Sequence, residues 1–336
     1  MSKAERIEQD DDGIRVDRWF KRHYPALTHG RLEKLLRTGQ VRLDGKRVKA
    51  ADRVAVGQTV RLPPQIVHGE LSEKPQQSVK PTMRGDLEDM ILYMDKSVIV
   101  LNKPSGLATQ GGSGLTEHVD GMLDSLAFEK NSRPKLVHRL DRDTSGVLVI
   151  ARTSTAASAL SRSLAQRDAQ KIYWALTKGV PKVKRGTIKA ALAKESGFGA
   201  HGRDERMTTV EKGSINENAK DAVTDYAVIA TAGEEFAFVA VKPLTGRTHQ
   251  IRVHLAAIGT PIVGDFKYGG TDVRGRGEIA NRLHLHARSI DIARPDGGRL
   301  VVTAPLPPHM LKTWQLLGLD PELNLNPFEK KPRRKK

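Results

Sequence analysis

Two short helices and a hairpin are predicted near the start of the chain. Apolar residues that recur at helical spacing form one face of the first helix: Val16, Trp19, Phe20 and Tyr24. Pro25 ends this helix, and Thr28 can cap a second one that Gly39 stops in the left-handed conformation. The second helix has an apolar side of three leucines: Leu32, Leu35 and Leu36. The pair Asp44-Gly45 then favours a tight hairpin turn.

Farther along the chain, alternating or continuous apolar runs predict strands. The candidate strands span residues 97–101, 146–151, 171–176, 222–230 and 236–242. Alternation in the third of them places Tyr173 and Trp174 on opposite faces of the strand. The longest apolar runs, which begin at Val98 and Val147, are far shorter than the ~20 residues that a membrane helix needs. We therefore expect a soluble protein with no membrane partner.

The charge of the chain is strongly positive and unevenly distributed. The 336 residues include 56 Lys and Arg but only 39 Asp and Glu, a formal net charge of +17. This surplus predicts attraction to a polyanion, either nucleic acid or an anionic membrane surface. Residues 14–62 hold thirteen basic and four acidic side chains, and six of the last seven residues are basic. Cysteine is absent, which excludes disulfides, thiolate nucleophiles and Cys-ligated metal centres and fits a cytoplasmic location.

Composition divides the chain into four segments. Residues 14–62 form a compact basic module, and residues 63–85, rich in Pro and Gln, are typical of an extended linker. Residues 86–318 form a body with nearly balanced charge. Residues 319–336 end in a basic tract and are predicted to be a disordered tail.

The outer face of the predicted helices of the first module is basic. Six side chains contribute to it: Arg15, Arg18, Arg22, Arg31, Lys34 and Arg37. Because few acidic side chains accompany these basic ones, such a face favours contact with phosphates. The stretch from Thr28 to Lys46 resembles the S4 RNA-binding domain, a small α/β domain whose second helix and following turn meet structured RNA. The resemblance implies an RNA partner.

Three stretches of the body stand apart from ordinary core or loop. His138 to Gly146 precedes a predicted strand, Lys171 to Leu176 is itself a strand, and Thr245 to Leu255 opens a predicted helix in which Gly246 allows a close approach. Taken singly, the first would be an Arg–Asp network that fixes a turn, and Tyr173 in the second would be a half-buried core residue.

Together with two further stretches, these segments are similar to the ordered motifs of the RluA-type pseudouridine synthases. The further stretches are Leu101 to Leu107 and Asn281 to Ala287. The glycine-rich run from Gly111 to Gly114 and the S4-like module make the chain most similar to the RluC branch of that family. That branch acts on 23S ribosomal RNA.

The resemblance implies a fold, a reaction and a set of site residues. The fold is an α+β domain with a mostly antiparallel sheet, a central cleft and helices packed outside. The catalytic carboxylate is Asp141. Five residues bind the substrate: Arg139 in the space that the flipped base leaves, Tyr173 against the base, Arg247 on a phosphate, Arg252 paired with Asp141, and Leu285 as a wall of the pocket.

The chemistry of this reaction fits the composition of the chain. Conversion of uridine to pseudouridine breaks the C1′–N1 bond and joins C1′ to C5, so it needs no cofactor and no metal. It needs an ionised carboxylate beside the sugar and base. A cation within ~4–6 Å favours the charged form, so Arg252 is expected to keep Asp141 ionised despite burial. The pair Thr109-Gln110 replaces a histidine-containing stretch of many relatives, which predicts altered substrate contacts rather than altered chemistry.

Other functions are compatible with parts of the sequence. The histidine pairs His249/His254 and His284/His286 suggest a metal site, but no carboxylate completes a recognised ligand set. A two-metal nuclease built on Asp141 and Asp143 is disfavoured because neighbouring arginines repel cations. A non-catalytic RNA-binding or ribosome-assembly factor and a synthase that acts on tRNA remain alternatives. We expect a monomer that acts on 23S ribosomal RNA or on a large-subunit assembly intermediate.

Overall fold

The computed structural model describes residues 3–24, 27, 29–63, 87–111, 117–128, 132–195, 206–210, 218–324 and 326–329. The chain divides into two compact units, Met1–Lys80 and Pro81–Lys336. The predicted linker at 63–85 lies almost wholly outside the described residues, as do residues 330–336.

The first unit combines two helices with a small sheet. Its elements are β1 (Lys3–Arg6), α1 (Val16–His23), α2 (His29–Arg37), β2 (Arg42–Leu43), β3 (Lys46–Arg47) and β4 (Thr59–Leu62). The sheet has the order β1-β4-β2-β3. The hairpin between β2 and β3 turns at Asp44 (φ 48°) and Gly45 (φ 76°), and Gly39 (φ 70°) follows α2 in the left-handed conformation. Trp19, Phe20 and the three leucines of α2 are buried in one core. Pro25 and Thr28 lie outside the described residues.

The second unit is organised around an eleven-stranded sheet. Its strands are β5 (Ile91–Met94), β6 (Val98–Lys103), β7 (Lys135–Leu136), β8 (Ser145–Ala151), β9 (Gln170–Lys178), β10 (Arg185–Lys194), β11 (Met207–Val210), β12 (Lys220–Ala232), β13 (Phe236–Pro243), β14 (Leu285–Ala293) and β15 (Arg299–Thr303). The main order is β11-β10-β12-β13-β9-β14-β8-β6-β5, with β15 on β14 and β7 on β8. The predicted α+β class with a mostly antiparallel sheet is confirmed.

The strands β8 and β14 pair in parallel near the middle of the sheet, through His286–Ser145 and Ala287–Gly146. Their close approach explains why a glycine stands at position 146. Its φ is +107°, and a Cβ atom there would collide with the carbonyl oxygen of Ala287. This pairing brings the loop before β8 next to the start of β14.

Helices cover both faces of the sheet. They are α3 (Val119–Met122), α4 (Ser154–Ala165), α5 (Gln250–Ala257), α6 (Phe266–Gly269) and α7 (Pro308–Leu316). Trp314 of α7 stacks on Trp174 of β9 at a centroid distance of 6.4 Å. On the opposite face, Ile251 and Leu255 of α5 pack in a core cluster with Val239 and Val241. Tyr173 packs against this second cluster, so Tyr173 and Trp174 lie on opposite faces of β9, as the alternation predicts. None of the described helices is long and apolar enough to cross a membrane.

The packed body continues beyond residue 318, where the sequence predicts the tail to begin. Leu319 is buried in the cluster that contains Trp314, and Leu323 and Phe328 pack against that cluster. These apolar side chains have partners that only the folded body provides, and composition alone does not show them.

Candidate active site

One cleft of about 130 Å³ gathers all six residues that the sequence points to, and they are joined there by residues of the loop after β13. The predicted residues are Arg139, Asp141, Tyr173, Arg247, Arg252 and Leu285. Sheet order explains the convergence. The loop before β8 carries Asp141, β9 carries Tyr173, and β14 begins with Leu285. The strand β14 pairs with both β8 and β9, so these positions are neighbours in space although far apart in sequence.

Asp141 lines the cleft, with its side chain 19% exposed. The backbone around it is held by two buried side chains, one from the last residue of β6 and one from the segment that follows β6. The Lys103 ammonium group donates to the carbonyl oxygens of Pro104 (3.0 Å), Leu107 (2.7 Å) and Arg142 (3.0 Å). Lys103 is fully buried, so its charge and its bonds fix one side of the loop.

Thr109 fixes the other side of this loop. Its hydroxyl donates to the carbonyl oxygen of Leu140 at 2.7 Å and accepts from the Leu140 amide at 3.1 Å. Thr109 is buried and is not among the residues that line the cleft. The expectation that the Thr109-Gln110 pair changes substrate contacts is therefore wrong for Thr109, which instead anchors the residue before Asp141.

Arg252 lies between two carboxylates. Its Nη1 is 3.9 Å from Oδ2 of Asp141. Its Nε and Nη2 donate to the two carboxylate oxygens of Asp265 at 2.8 Å and 2.6 Å. Both Arg252 and Asp265 are buried. Sequence reasoning missed Asp265, for which the only signal is a Gly-Asp pair directly after the apolar residues Ile262 and Val263.

Tyr268 completes the surroundings of Arg252. The Arg252 guanidinium carbon lies 5.1 Å from the centre of the Tyr268 ring. The Tyr268 hydroxyl accepts from the Met207 amide at 3.0 Å and is paired with Nδ1 of His249 at 2.7 Å. His249 in turn is the left-handed residue that precedes α5, with φ 54°.

The other predicted residues differ in burial. Leu285 is buried and forms an apolar wall, whereas Arg139 and Arg247 are exposed at the rim. Arg247 donates from Nε to the Asp221 carbonyl oxygen at 3.2 Å. Its amide donates to Oε1 of the buried Gln250 at 3.0 Å, which shapes the loop after β13. Gly246 also lines the cleft, and a Cβ atom at this position would have no protein atom within 4 Å.

The histidine pairs serve as structural hydrogen-bonding groups. His284 is paired with the Arg282 carbonyl oxygen and the Thr313 hydroxyl, and His286 with Ser145 and Ala304. His254 is paired with the Thr224 hydroxyl. Within the part of the chain that the structure describes, no group of three or more acidic or histidine side chains is placed to hold a metal ion.

Comparisons with known proteins place this chain in a family. The profile described as RNA pseudouridylate synthase matches residues 97–257. The ribosomal large subunit pseudouridine synthase C of Escherichia coli K12 is 35% identical over 93% of this chain and 95% of its own length. The chain belongs to the RluA-type RNA pseudouridine synthases.

One further sequence relative and one solved structure agree with this assignment. The mitochondrial RNA pseudouridine synthase 4 of Arabidopsis thaliana is 33% identical over 94% of this chain and 82% of its own length. Among solved structures, the human RNA pseudouridylate synthase domain containing 4 has a TM-score of 0.56 and 29% identity, over 70% of this chain and 95% of that one. As a pseudouridine synthase, the chain is an isomerase.

Opposing effects set the charge state of Asp141 in the synthase. Burial has the largest effect and raises the pKa of Asp141 above its usual value. The charges of Arg252, Arg139 and Lys103 lower this pKa, and the charge of Asp265 raises it. Burial and then the charge of Asp141 raise the pKa of Tyr173, so this side chain is a neutral phenol. Desolvation thus opposes the effect of Arg252, which was expected to keep Asp141 ionised, and it is the larger of the two effects on this pKa.

The raised pKa of Asp141 predicts that Asp141→Asn stabilises the fold at neutral pH. A carboxyl group whose pKa is higher in the folded than in the unfolded state loses stability as the pH rises from ~3.9 through the folded-state pKa. Asn carries no such penalty. Melting temperatures measured from pH 4 to pH 8 should therefore favour Asp141→Asn most at the upper end.

A control for this prediction is Asp168→Asn, which removes an exposed carboxylate that pairs with Arg299. The melting temperature of Asp168→Asn, relative to that of the natural sequence, should not rise with pH. A pH-independent difference between Asp141→Asn and the natural sequence would contradict the prediction.

Proposed function

We propose that this chain converts specific uridines of 23S ribosomal RNA to pseudouridine, with Asp141 as the catalytic carboxylate. The observation that carries the proposal is the cleft, in which the Asp141 carboxylate lies 3.9 Å from Nη1 of Arg252 and beside the neutral phenol of Tyr173. Binding to phosphates alone does not need such an arrangement. A non-catalytic RNA-binding factor explains it less well.

A uridine in folded RNA has to leave its stack before C1′ can reach Asp141. Extrusion costs a few kcal/mol, which new contacts must offset. Tyr173 would pack against the extruded base, and Leu285 would form an apolar wall of its pocket. Arg139, exposed at the rim, would fill the space that the base leaves. Arg247, also exposed, would hold a phosphate.

The reaction is an internal exchange of bonds. The C1′–N1 bond breaks and its electron pair stays on N1 of the uracil. The base then rotates, C5 bonds to C1′, and the proton that C5 loses is balanced by the one that N1 gains. The Asp141 carboxylate drives the cleavage either by attack on the substrate or by taking a proton next to C1′. It is regenerated when the new bond forms.

Ribosomal RNA is the substrate class that the relatives favour. Relatives of Escherichia coli and Vibrio cholerae named ribosomal large subunit pseudouridine synthase C are 35% and 34% identical over at least 90% of this chain. The name of the mitochondrial relative gives RNA as the substrate but not which class of RNA. A tRNA substrate therefore stays in the test as a second candidate.

We propose that the first unit binds the RNA through the exposed basic residues of α2. Arg31, Lys34 and Arg37 are exposed on the side opposite to its three buried leucines. If each meets a phosphate, replacing all three with Gln should weaken RNA binding and reduce the slope of log K against log salt by about 2–3. Filter binding at several salt concentrations measures this slope.

The matched control replaces three exposed basic residues of the second unit: Arg162, Arg167 and Lys182. It removes the same charge away from α2. An equal loss of slope in both triple variants would show a general charge effect and would refute a binding face on α2.

The proposed function is tested with unmodified 23S ribosomal RNA and the purified protein. Pseudouridine is mapped by carbodiimide labelling and reverse-transcription stops, with tRNA and large-subunit assembly intermediates as parallel substrates. New stops in the 23S RNA are expected with the natural sequence and not with Asp141→Asn. Stops only in tRNA would overturn the substrate, and no stops in any RNA would overturn the reaction.

A further inference from the structure

We propose that Asp265 is a positioning residue, which holds Arg252 so that only one edge of its guanidinium remains for Asp141. The proposal rests on the proposed function, because it concerns how the catalytic carboxylate is tuned. Its basis is the sharing of one buried arginine between two carboxylates at unequal distances.

The contacts of Arg252 show which carboxylate orients it. Asp265, 1% exposed, accepts from Nε and Nη2 at 2.8 Å and 2.6 Å. Asp141 is 3.9 Å from Nη1, beyond hydrogen-bond distance. A two-point bond between the planar guanidinium and a carboxylate fixes both the position and the tilt of the group. Asp265 therefore sets the orientation in which Arg252 faces Asp141.

The turn that carries Asp265 is built to keep it in place. Gly264 has φ +76°, and a Cβ atom there would collide with the carbonyl oxygen of Arg282, so only glycine fits before Asp265. The amides of Tyr268 and Gly269 donate to the Asp265 carbonyl oxygen at 3.2 Å and 2.8 Å. One short turn thus supplies both the carboxylate below Arg252 and the aromatic ring beside it.

Holding Arg252 back leaves Asp141 more reactive. A carboxylate in a close two-point bond with arginine is a weaker base and a weaker nucleophile, because the bond stabilises its charge. The charged or titratable groups around Asp141 are Arg252, Arg139, Lys103, Asp265 and Tyr173. Among them Asp265 is the other acid, and it occupies the donors that would otherwise close on Asp141.

The test is Asp265→Asn, which keeps the shape of the side chain and removes its charge. The pKa of the Asp141 carboxyl is measured by NMR on protein labelled with ¹³C in the aspartate carboxyl groups, with Asp141→Asn to assign the signal. We expect this pKa to fall in Asp265→Asn, because a negative charge is lost and Arg252 can approach Asp141. An unchanged or higher value would overturn the proposal.

Activity and a control variant separate positioning from a structural role. Asp265→Asn should lower kcat on the order of 10²-fold, the cost of a misplaced group, with KM for the RNA unchanged. The acid limb of the pH–rate profile should move to lower pH. Asp168→Asn, an exposed aspartate outside the cleft, should change none of these. An increase in KM with kcat unchanged would contradict the proposal.

A second variant covers the case in which Asp265→Asn does not fold. Asp265→Glu keeps the charge but moves the carboxylate by one methylene, so kcat should fall while the Asp141 pKa stays closer to its natural value than in the Asn variant. Full kcat in Asp265→Glu would overturn the proposal. The NMR titration needs no RNA, so it decides the role of Asp265 even if the natural sequence forms no pseudouridine, a result that would refute the proposed function separately.

Discussion

Asp141→Asn is expected to abolish pseudouridine formation while RNA affinity stays within about twofold of the natural sequence. Asn fills the same space but can neither attack the substrate nor remove a proton, so the rate should fall on the order of 10⁴-fold or more. Phosphate contacts, which supply most of the affinity for RNA, are unaffected because Asp141 carries the wrong charge to make them. Single-turnover assays and filter binding on the same RNA measure the two quantities.

The control for this variant is Asp143→Asn. Asp143 lies two residues farther along the same loop and pairs with Arg142 at 3.1 Å, but it does not line the cleft. It should retain isomerisation. A loss of affinity in Asp141→Asn equal to its loss of rate would show that the carboxylate serves binding, and the proposed division of roles would be wrong.

Arg252→Met is expected to impair both stability and activity. The substitution leaves the buried carboxylate of Asp265 without its two-point partner and removes the nearest cation from Asp141. Removal of one member of a buried ion pair costs about 3–5 kcal/mol in the free energy of unfolding. The pKa of Asp141 should rise because Arg252 is the strongest of the charges that lower it. Urea unfolding and the pH–rate profile measure these changes.

The matched control for Arg252→Met is Arg139→Met. Arg139 lines the same cleft but is exposed, so its loss should reduce activity without a measurable loss of stability. Equal free energies of unfolding for the natural sequence and Arg252→Met would contradict the view that the buried carboxylate of Asp265 depends on this arginine.

Much of the fold follows from local pattern. The strands β6, β8, β9, β12 and β13 were predictable because their apolar residues form continuous or alternating runs. The strand β10 was not, because its sequence Arg185–Lys194 mixes charged residues and alanines and only three of its residues are buried. Its place in the sheet comes from pairing with β12, which no local pattern contains.

The site was predictable where motifs carry it and not where packing creates it. Asp141, Tyr173 and Arg252 stand in stretches whose order resembles a known family. Asp265 lies outside those stretches, and the role of Lys103, which lies in one of them, depends on contacts between distant segments. The Lys103 ammonium group, for example, meets the carbonyl oxygen of Arg142, 39 residues away. This contact follows from the pairing of β6 with β8, which brings the end of β6 next to the loop before β8.

Release of tritium from unmodified 23S ribosomal RNA labelled at C5 of uridine tests the central claim most directly. The C5 hydrogen leaves only when C5 bonds to C1′, so the release counts isomerisation events. We predict release by the natural sequence in the presence of a metal chelator and none by Asp141→Asn. Equal release by both proteins would contradict the role of Asp141, and release that the chelator abolishes would contradict a reaction carried by side chains alone.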